Sequence, residues 1–415
     1  MNYYSNEVKF LNDENQLNNQ NKSQQIQLEL ANVSKKKNYP DKNIITINKG
    51  DFLEFRIKRL LFAMGYFCKI GVLIKTSQDD VAEYVTDLDV LGISIQRDFT
   101  SKTIWADCKA GKAKPLERIS WINGIKNFVG IDDAIFVKKN VRVTTKQFAR
   151  KSNIQVLDLE IINKLEKDYG IEAECLKGSW NYGTQIKSEQ VLLKMNIDNN
   201  ESIKKIVQFT KSGYWSLNEY TRIKKCITAL KQLGEMLRLP LKQEEFTAIR
   251  WVIYEVINLF VLATLKVCRN TYYFSEKDRN QVIYEGLISG EISNKKRKEL
   301  VEASYKMAYS IIKSQIPGFN GKIELPNFNM TAPVYCEAYL DLISRIVANP
   351  LDYYDILRYL DFMMMEYDLN SKDIDIDEMK IYFDNYIKLN KSAKTLLHFI
   401  CTITNLPLNI FNILK

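Results

Sequence analysis

The period of the hydrophobic pattern changes once along this chain, and that change limits what it can fold into. Between about residues 43 and 175, short apolar runs alternate with helical stretches; beyond residue 190 nearly every segment repeats at helical spacing. A period near 2 sends side chains to alternate faces of a strand, while a period of 3.6 builds one apolar stripe along a helix. One layer architecture does not serve both textures, so the sequence predicts an α/β part followed by an all-α part. At 415 residues, each part can bury a core of its own.

Within the first part, DFLEFRIKRLLFAMG (51–65) has helical spacing and a glycine stop. YFCKIGVLI (66–74), DLDVLGISI (87–95) and KTIWADCKA (102–110) read as strands, the last two joined by a short turn. PLERISWINGIKNFVG (115–130) is a helix with proline at its start. AIFVKK (134–139) and IQVLDL (154–159) are further strands, separated by a helix over 144–153 and followed by one over 160–170. The order α-β-β-β-α-β-α-β-α predicts an antiparallel meander continued by αβ crossovers, a mixed sheet flanked by helices.

Residues 1–42, rich in Asn, Gln, Lys and Ser, bury too little apolar surface to offset chain entropy and are expected to be a mobile tail. Residues 176–190 (LKGSWNYGTQIKSEQ) hold two glycines and little periodicity and read as a linker. The α-helical domain, of unknown role, then spans 191–415. Its most apolar run, 251–267, is interrupted by Glu255 and Asn258 and reads as a buried core helix rather than a membrane span. The N-terminus lacks a basic-then-apolar export pattern, so a cytoplasmic protein with no membrane partner is expected.

The seven cysteines are scattered and never form a C-x-x-C pair, which argues against disulfide frameworks, zinc ribbons and thiolate-held clusters. His398 is the sole histidine. It lies in the apolar context LLHFICTI, reads as a core residue, and removes His-metal and Ser-His-Asp chemistries from contention. Neither a P-loop nor a G-x-G-x-x-G fingerprint is present. The net charge of +9 suits a polyanionic partner.

One constellation carries chemistry. Phosphodiester hydrolysis needs a cation to polarise the phosphate and activate water near neutral pH. Mg²⁺ prefers carboxylate oxygens and is held by one or two of them. Asp89 begins the apolar run VLGISI, while Asp107 and Lys109, two apart in TIWADCKAG, project from one face of the next strand. Paired as a hairpin, the two strands bring Asp89 opposite Asp107 and Lys109. An Asp and a Lys in apolar strand texture are costly unless they pair or bind something. They could instead form a structural ion pair.

TDLDVLGI followed by WADCKAG resembles the D…(D/E)-x-K signature of the PD-(D/E)XK nuclease superfamily. GDFLEFRIKRLLFAMGY resembles that family's first helix, and the resemblance covers about residues 46–170. It implies a restriction endonuclease-like α/β fold in which Asp89 and Asp107 ligate Mg²⁺ (Mn²⁺ substituting), helped by the carbonyl of Cys108. Lys109 would be the catalytic lysine, and Glu54 an accessory metal or water ligand. The sequence departs from the pattern in having no proline before the first Asp. Asp87 shares the strand face of Asp89 and is either an assistant or a turn residue at the strand start. Asp51-x-x-Glu54 also fits a helix capping box.

The implied activity is a Mg²⁺-dependent DNA endonuclease, in which water attacks the phosphate in line to leave a 5′-phosphate and a 3′-hydroxyl. A restriction or anti-phage defence role rests on analogy with other fusions of such domains. The helical part would supply target recognition, a homodimer contact or a partner-subunit contact. Lys102, Lys112 and Lys114 are expected to cluster round the site. Lys138, Lys139, Arg142, Lys146, Arg150 and Lys151 form a run without an acidic residue that either holds DNA phosphates or is a solvated face.

Overall fold

The structure, a computed structural model, describes residues 49–76, 83–111, 113–171, 182–195, 200–289, 294–316, 318–319, 321 and 331–414. The expected tail over 1–42 lies outside these residues. From Ile47 to Lys415 the chain forms one compact unit.

The first helix, α1 (Lys49–Ala63), ends as its glycine predicts. Gly65 takes φ +94°, and the amides of Gly65 and Tyr66 donate back to the carbonyls of Phe62 (2.9 Å) and Leu61 (3.0 Å). Five strands follow, with helices interposed: β1 (Phe67–Lys75), β2 (Tyr84–Ile95), β3 (Ser101–Lys109), α2 (Pro115–Val129), β4 (Asp133–Lys138), α3 (Val143–Arg150), β5 (Ile154–Leu157) and α4 (Leu159–Asp168). Their order in the sheet is β1-β2-β3-β4-β5. The first three strands pair antiparallel, and β3, β4 and β5 pair in parallel. The expected mixed sheet flanked by helices is therefore present.

Strand alternation divides this sheet between two cores. Val90, Ile104, Ala106, Cys108, Ile135 and Val137 pack with Leu53, Ile57 and Leu61 of α1 and Ile162 of α4. Leu91, Ile93, Trp105 and Phe136 join Ile119 and Ile122 of α2 in a larger core that continues into the helices beyond.

Those helices are α5 (Tyr182–Lys194), α6 (Asn200–Lys211), α7 (Glu219–Met236), α8 (Gln243–Thr271), α9 (Glu276–Ser289), α10 (Asn294–Gln315), α11 (Cys336–Ala348), α12 (Pro350–Tyr353), α13 (Ile356–Phe362), α14 (Ile376–Tyr382) and α15 (Tyr386–Thr404). The central element is α8. It is the one helix among the described residues long and apolar enough to cross a membrane, yet 94% of its most apolar window is buried within the protein. Its polar interruptions have partners. Arg250 pairs with Asp368 at 2.9 Å, Asn258 donates to Asp361 at 2.8 Å, and Glu255 forms an ion pair with Lys69 of β1. Because Lys69 and Glu255 come from opposite sides of the expected boundary, a buried ion pair fastens the sheet to the helices. Phe62 of α1 stacks on Phe362 of α13 at 5.2 Å, and Arg358 donates to the Phe62 carbonyl at 2.8 Å.

Three expectations are corrected. Residues 182–190 are not linker: they belong to α5, whose Leu192 is fully buried and which packs along α8. Gly183 falls in the first helical turn. The boundary between 43–175 and 191–415 separates textures rather than two independent bodies, because one core runs across it. His398 lies on the outward face of α15, with Leu396, Leu397, Ile400 and Cys401 turned inward. The six described cysteines are free and buried, as expected of small apolar side chains.

Candidate metal and nucleic-acid site

The β2–β3 ladder pairs Leu91 with Trp105 and Val90 with Ala106, so the next step of the register brings Asp89 beside Asp107. Asp89 Oδ2 accepts from the Cys108 amide at 2.6 Å and from Lys109 Nζ at 3.2 Å. Lys109 Nζ also lies 3.4 Å from Asp107 Oδ1. Strand alternation puts Asp107 and Lys109 on the same face as Trp105 and turns the Cys108 side chain into the opposite core. Asp89, Asp107 and Lys109 thus meet, as the sequence predicted.

A fully buried carboxylate such as Asp107 needs compensation. It comes from a residue that the sequence reading missed. Arg118, in the first turn of α2, donates from Nε to Asp107 Oδ2 at 2.9 Å and from Nη2 to Oδ1 at 2.5 Å. Its guanidinium lies 3.6 Å from the centre of the Trp121 ring, and Trp121 meets Trp105 edge-on at 5.7 Å. The signal was available in PLERISW, where Arg and Trp stand three apart on a helix that follows D-x-K.

Glu54 reaches this group from α1. Burial, then the charges of Asp89, Asp51 and Asp87, push its pKa up to about 8, with Lys109 working the other way. Since α1 begins at Lys49, Asp51 stands inside the first turn and not at the cap, so the capping-box reading of Glu54 does not hold. Burial and the neighbouring Asp107 raise the Asp89 pKa to about 6, against Lys109 and the Cys108 amide. Burial opposes the charge of Lys109, but Asp107 and Asp89 outweigh it and its pKa is raised. Asp87 is exposed and opposite Leu73 of β1.

Two adjacent carboxylates, Asp89 and Asp107, form a hard-oxygen donor set of the kind that suits Mg²⁺ or Mn²⁺. Asp89 and Asp107, with the Cys108 carbonyl, have the right chemistry to hold such an ion. They are not a preassembled cage, however. Among the described residues no group of three or more acidic, Cys or His side chains is gathered closely enough to hold a metal. Both Asp107 oxygens accept from Arg118.

The basic residues divide. Lys138 stands opposite Lys109 in the β3–β4 register and donates to the Gly111 carbonyl at 3.0 Å. Lys139 and Arg142 are exposed beyond the end of β4, as are Arg150 and Lys151 at the end of α3. Lys114 is exposed and paired with Glu117 at 2.9 Å. Lys146 is committed elsewhere: it binds Asp158, the N-cap of α4, at 2.6 Å and so ties α3 to α4. Lys102 does not belong to the cluster. It sits near the start of β3, about 23 Å along the strand from Lys109, and pairs with Asp133 at 2.7 Å. Lys112 lies outside the described residues.

Comparison of the chain with family models, with curated proteins and with solved structures returned no match.

Proposed function

We propose that this protein is a metal-dependent nuclease of the PD-(D/E)XK type, a Mg²⁺-dependent DNA endonuclease. The observation that carries the reading is the convergence of Asp89, Asp107 and Lys109 across two paired strands, residues 18 and 20 apart along the chain from the first aspartate. Asp89 and Asp107 would hold the ion, with the Cys108 carbonyl. When bound, that ion supplies the charge that polarises a phosphodiester and lowers the pKa of a nearby water. Lys109 then orients the attacking water and offsets negative charge on the phosphate as it develops. Glu54, held largely protonated at neutral pH by burial and Asp89, can take part in proton movement at the water. Lys138, Lys139 and Arg142, at the same end of the parallel strands as Lys109, support binding of a phosphate backbone.

A role in restriction or anti-phage defence, with the helical half contacting a second copy or a partner subunit, remains part of this proposal. The test is incubation of the purified protein with plasmid, single-stranded, branched and RNA substrates, with Mg²⁺, Mn²⁺ or chelator. Metal-dependent cleavage of DNA is expected; RNA-only or branch-only cleavage would reassign the substrate, and no cleavage of any kind would overturn the enzyme reading.

One observation favours a second reading, a nuclease-like module that binds DNA or protein without cutting it. Arg118 occupies both oxygens of Asp107, which is how a decayed metal site would be neutralised. Titration with Mn²⁺, both without and with duplex DNA, separates the two, since a non-catalytic module would show no binding that depends on Asp89 and Asp107 in either case.

A further inference from the structure

Arg118 stands between solvent and the one fully buried carboxylate of the site. Its side chain is 24% exposed, while that of Asp107 is 0% exposed. The neighbouring cation, Lys109, is 32% exposed and lies within reach of both aspartates. Two positive side chains therefore cover the carboxylate pair. Arg118 engages the inward-facing lone pair of each Asp107 oxygen, the two through which a divalent ion would be chelated, and its charge repels a cation that approaches the outer pairs. Trp121 supports the guanidinium from one side, its ring centre 3.6 Å away.

A guanidinium's paired donors match a phosphate as well as they match a carboxylate. An incoming phosphodiester strand brings the same bidentate geometry, together with a negative charge that competes for Arg118. We propose that Arg118 is a phosphate-exchanged latch: it blocks Asp107 in the free protein and moves onto a backbone phosphate when a nucleic-acid strand arrives. Asp107 is then released for the metal. This rests on the nuclease reading and adds a rule to it, that metal loading waits for substrate. Arg118 is a positioning residue in the free state and a phosphate ligand in the loaded one. Such gating keeps the hydrolytic centre unassembled until a strand is present.

The consequence is a reciprocal coupling. If DNA raises metal affinity, metal must raise DNA affinity by the same factor. The experiment measures Mn²⁺ affinity by electron paramagnetic resonance, with and without a short phosphorothioate duplex that resists cleavage. The wild type, Arg118→Gln, Arg118→Lys and Asp107→Asn are compared, each checked for its fold by circular dichroism. In the wild type the duplex should tighten Mn²⁺ binding about tenfold, a usual size for coupling between sites. Arg118→Gln should bind Mn²⁺ tightly without the duplex and lose most of the coupling. Arg118→Lys keeps the charge but not the paired donors, so it should fall between them. Asp107→Asn should bind weakly throughout.

Equal Mn²⁺ affinity with and without duplex in the wild type, or an unchanged coupling in Arg118→Gln, overturns the latch and leaves the nuclease reading standing. Absence of any Mn²⁺ binding that depends on Asp107, with or without duplex, overturns the nuclease reading and the latch together.

Discussion

Asp107 and Lys109 differ in what they give up when removed. Asp107→Asn keeps the shape but removes the charge that Arg118 and Lys109 face, so cleavage should fall to background while the backbone ladder of β3 persists. Lys109→Ala removes a charge expected to act on the reacting phosphate, and turnover should drop about 10²–10³-fold with little change in DNA retention. Turnover by single-turnover assay and retention by filter binding check both. Glu54 gives a pH prediction. Its folded pKa of about 8 lies above the ordinary 4.5, so between these values the folded protein holds a proton that the unfolded chain has released. Metal-free stability should therefore be lost as pH rises through this window. Glu54→Gln should melt higher than the parent near pH 8.5 under chelator, and the two should converge below about pH 4. A parent that melts no lower than Glu54→Gln at high pH would remove Glu54 from the charged cluster.

Helix and strand ends separate what the local pattern could reveal from what it could not. The strands carrying Asp89, Asp107 and Lys109 were readable because β3 is a short apolar run punctuated by Asp107 and Lys109, and β2 has a long apolar run bounded by a turn. The start of α5 was not readable. Residues 182–190 hold only Tyr182 and Ile186 as large apolar residues, and the burial of the helix comes from packing along α8, which no local window contains. Leu192 tests the point. It is fully buried, so Leu192→Ala should cost about 2–4 kcal/mol by chemical denaturation, whereas a linker residue would cost close to nothing. Lys102 shows the converse error: closeness in sequence to D-x-K suggested closeness in space, but seven strand residues carry it to the far end of the sheet.

At the scale of the whole molecule, the sheet and the helices share one core and a buried ion pair, so they should unfold as one. A single cooperative thermal transition with coincident near- and far-ultraviolet signals is expected, not two. Glu255→Ala leaves Lys69 buried without its partner and should cost about 3 kcal/mol at mildly acidic pH, where the amine carries its proton. Burial lowers the Lys69 pKa to about 7, with Asp361 pulling the other way, so the penalty should shrink at alkaline pH as the amine loses its proton. A separate low-temperature transition for one half would contradict the shared core. The sequence by itself determined the two textures, the element order of the first half, and the strand face shared by Asp107 and Lys109, because each follows from the local period of the backbone. It also offered Asp89 as their partner through hairpin pairing. Only the tertiary structure decided that Arg118 closes over Asp107, that Glu54 is no capping residue but part of the charged group, and that Lys69 and Glu255 join the halves. Those are contacts between elements distant in the chain, where burial and charge set the outcome and periodicity is silent.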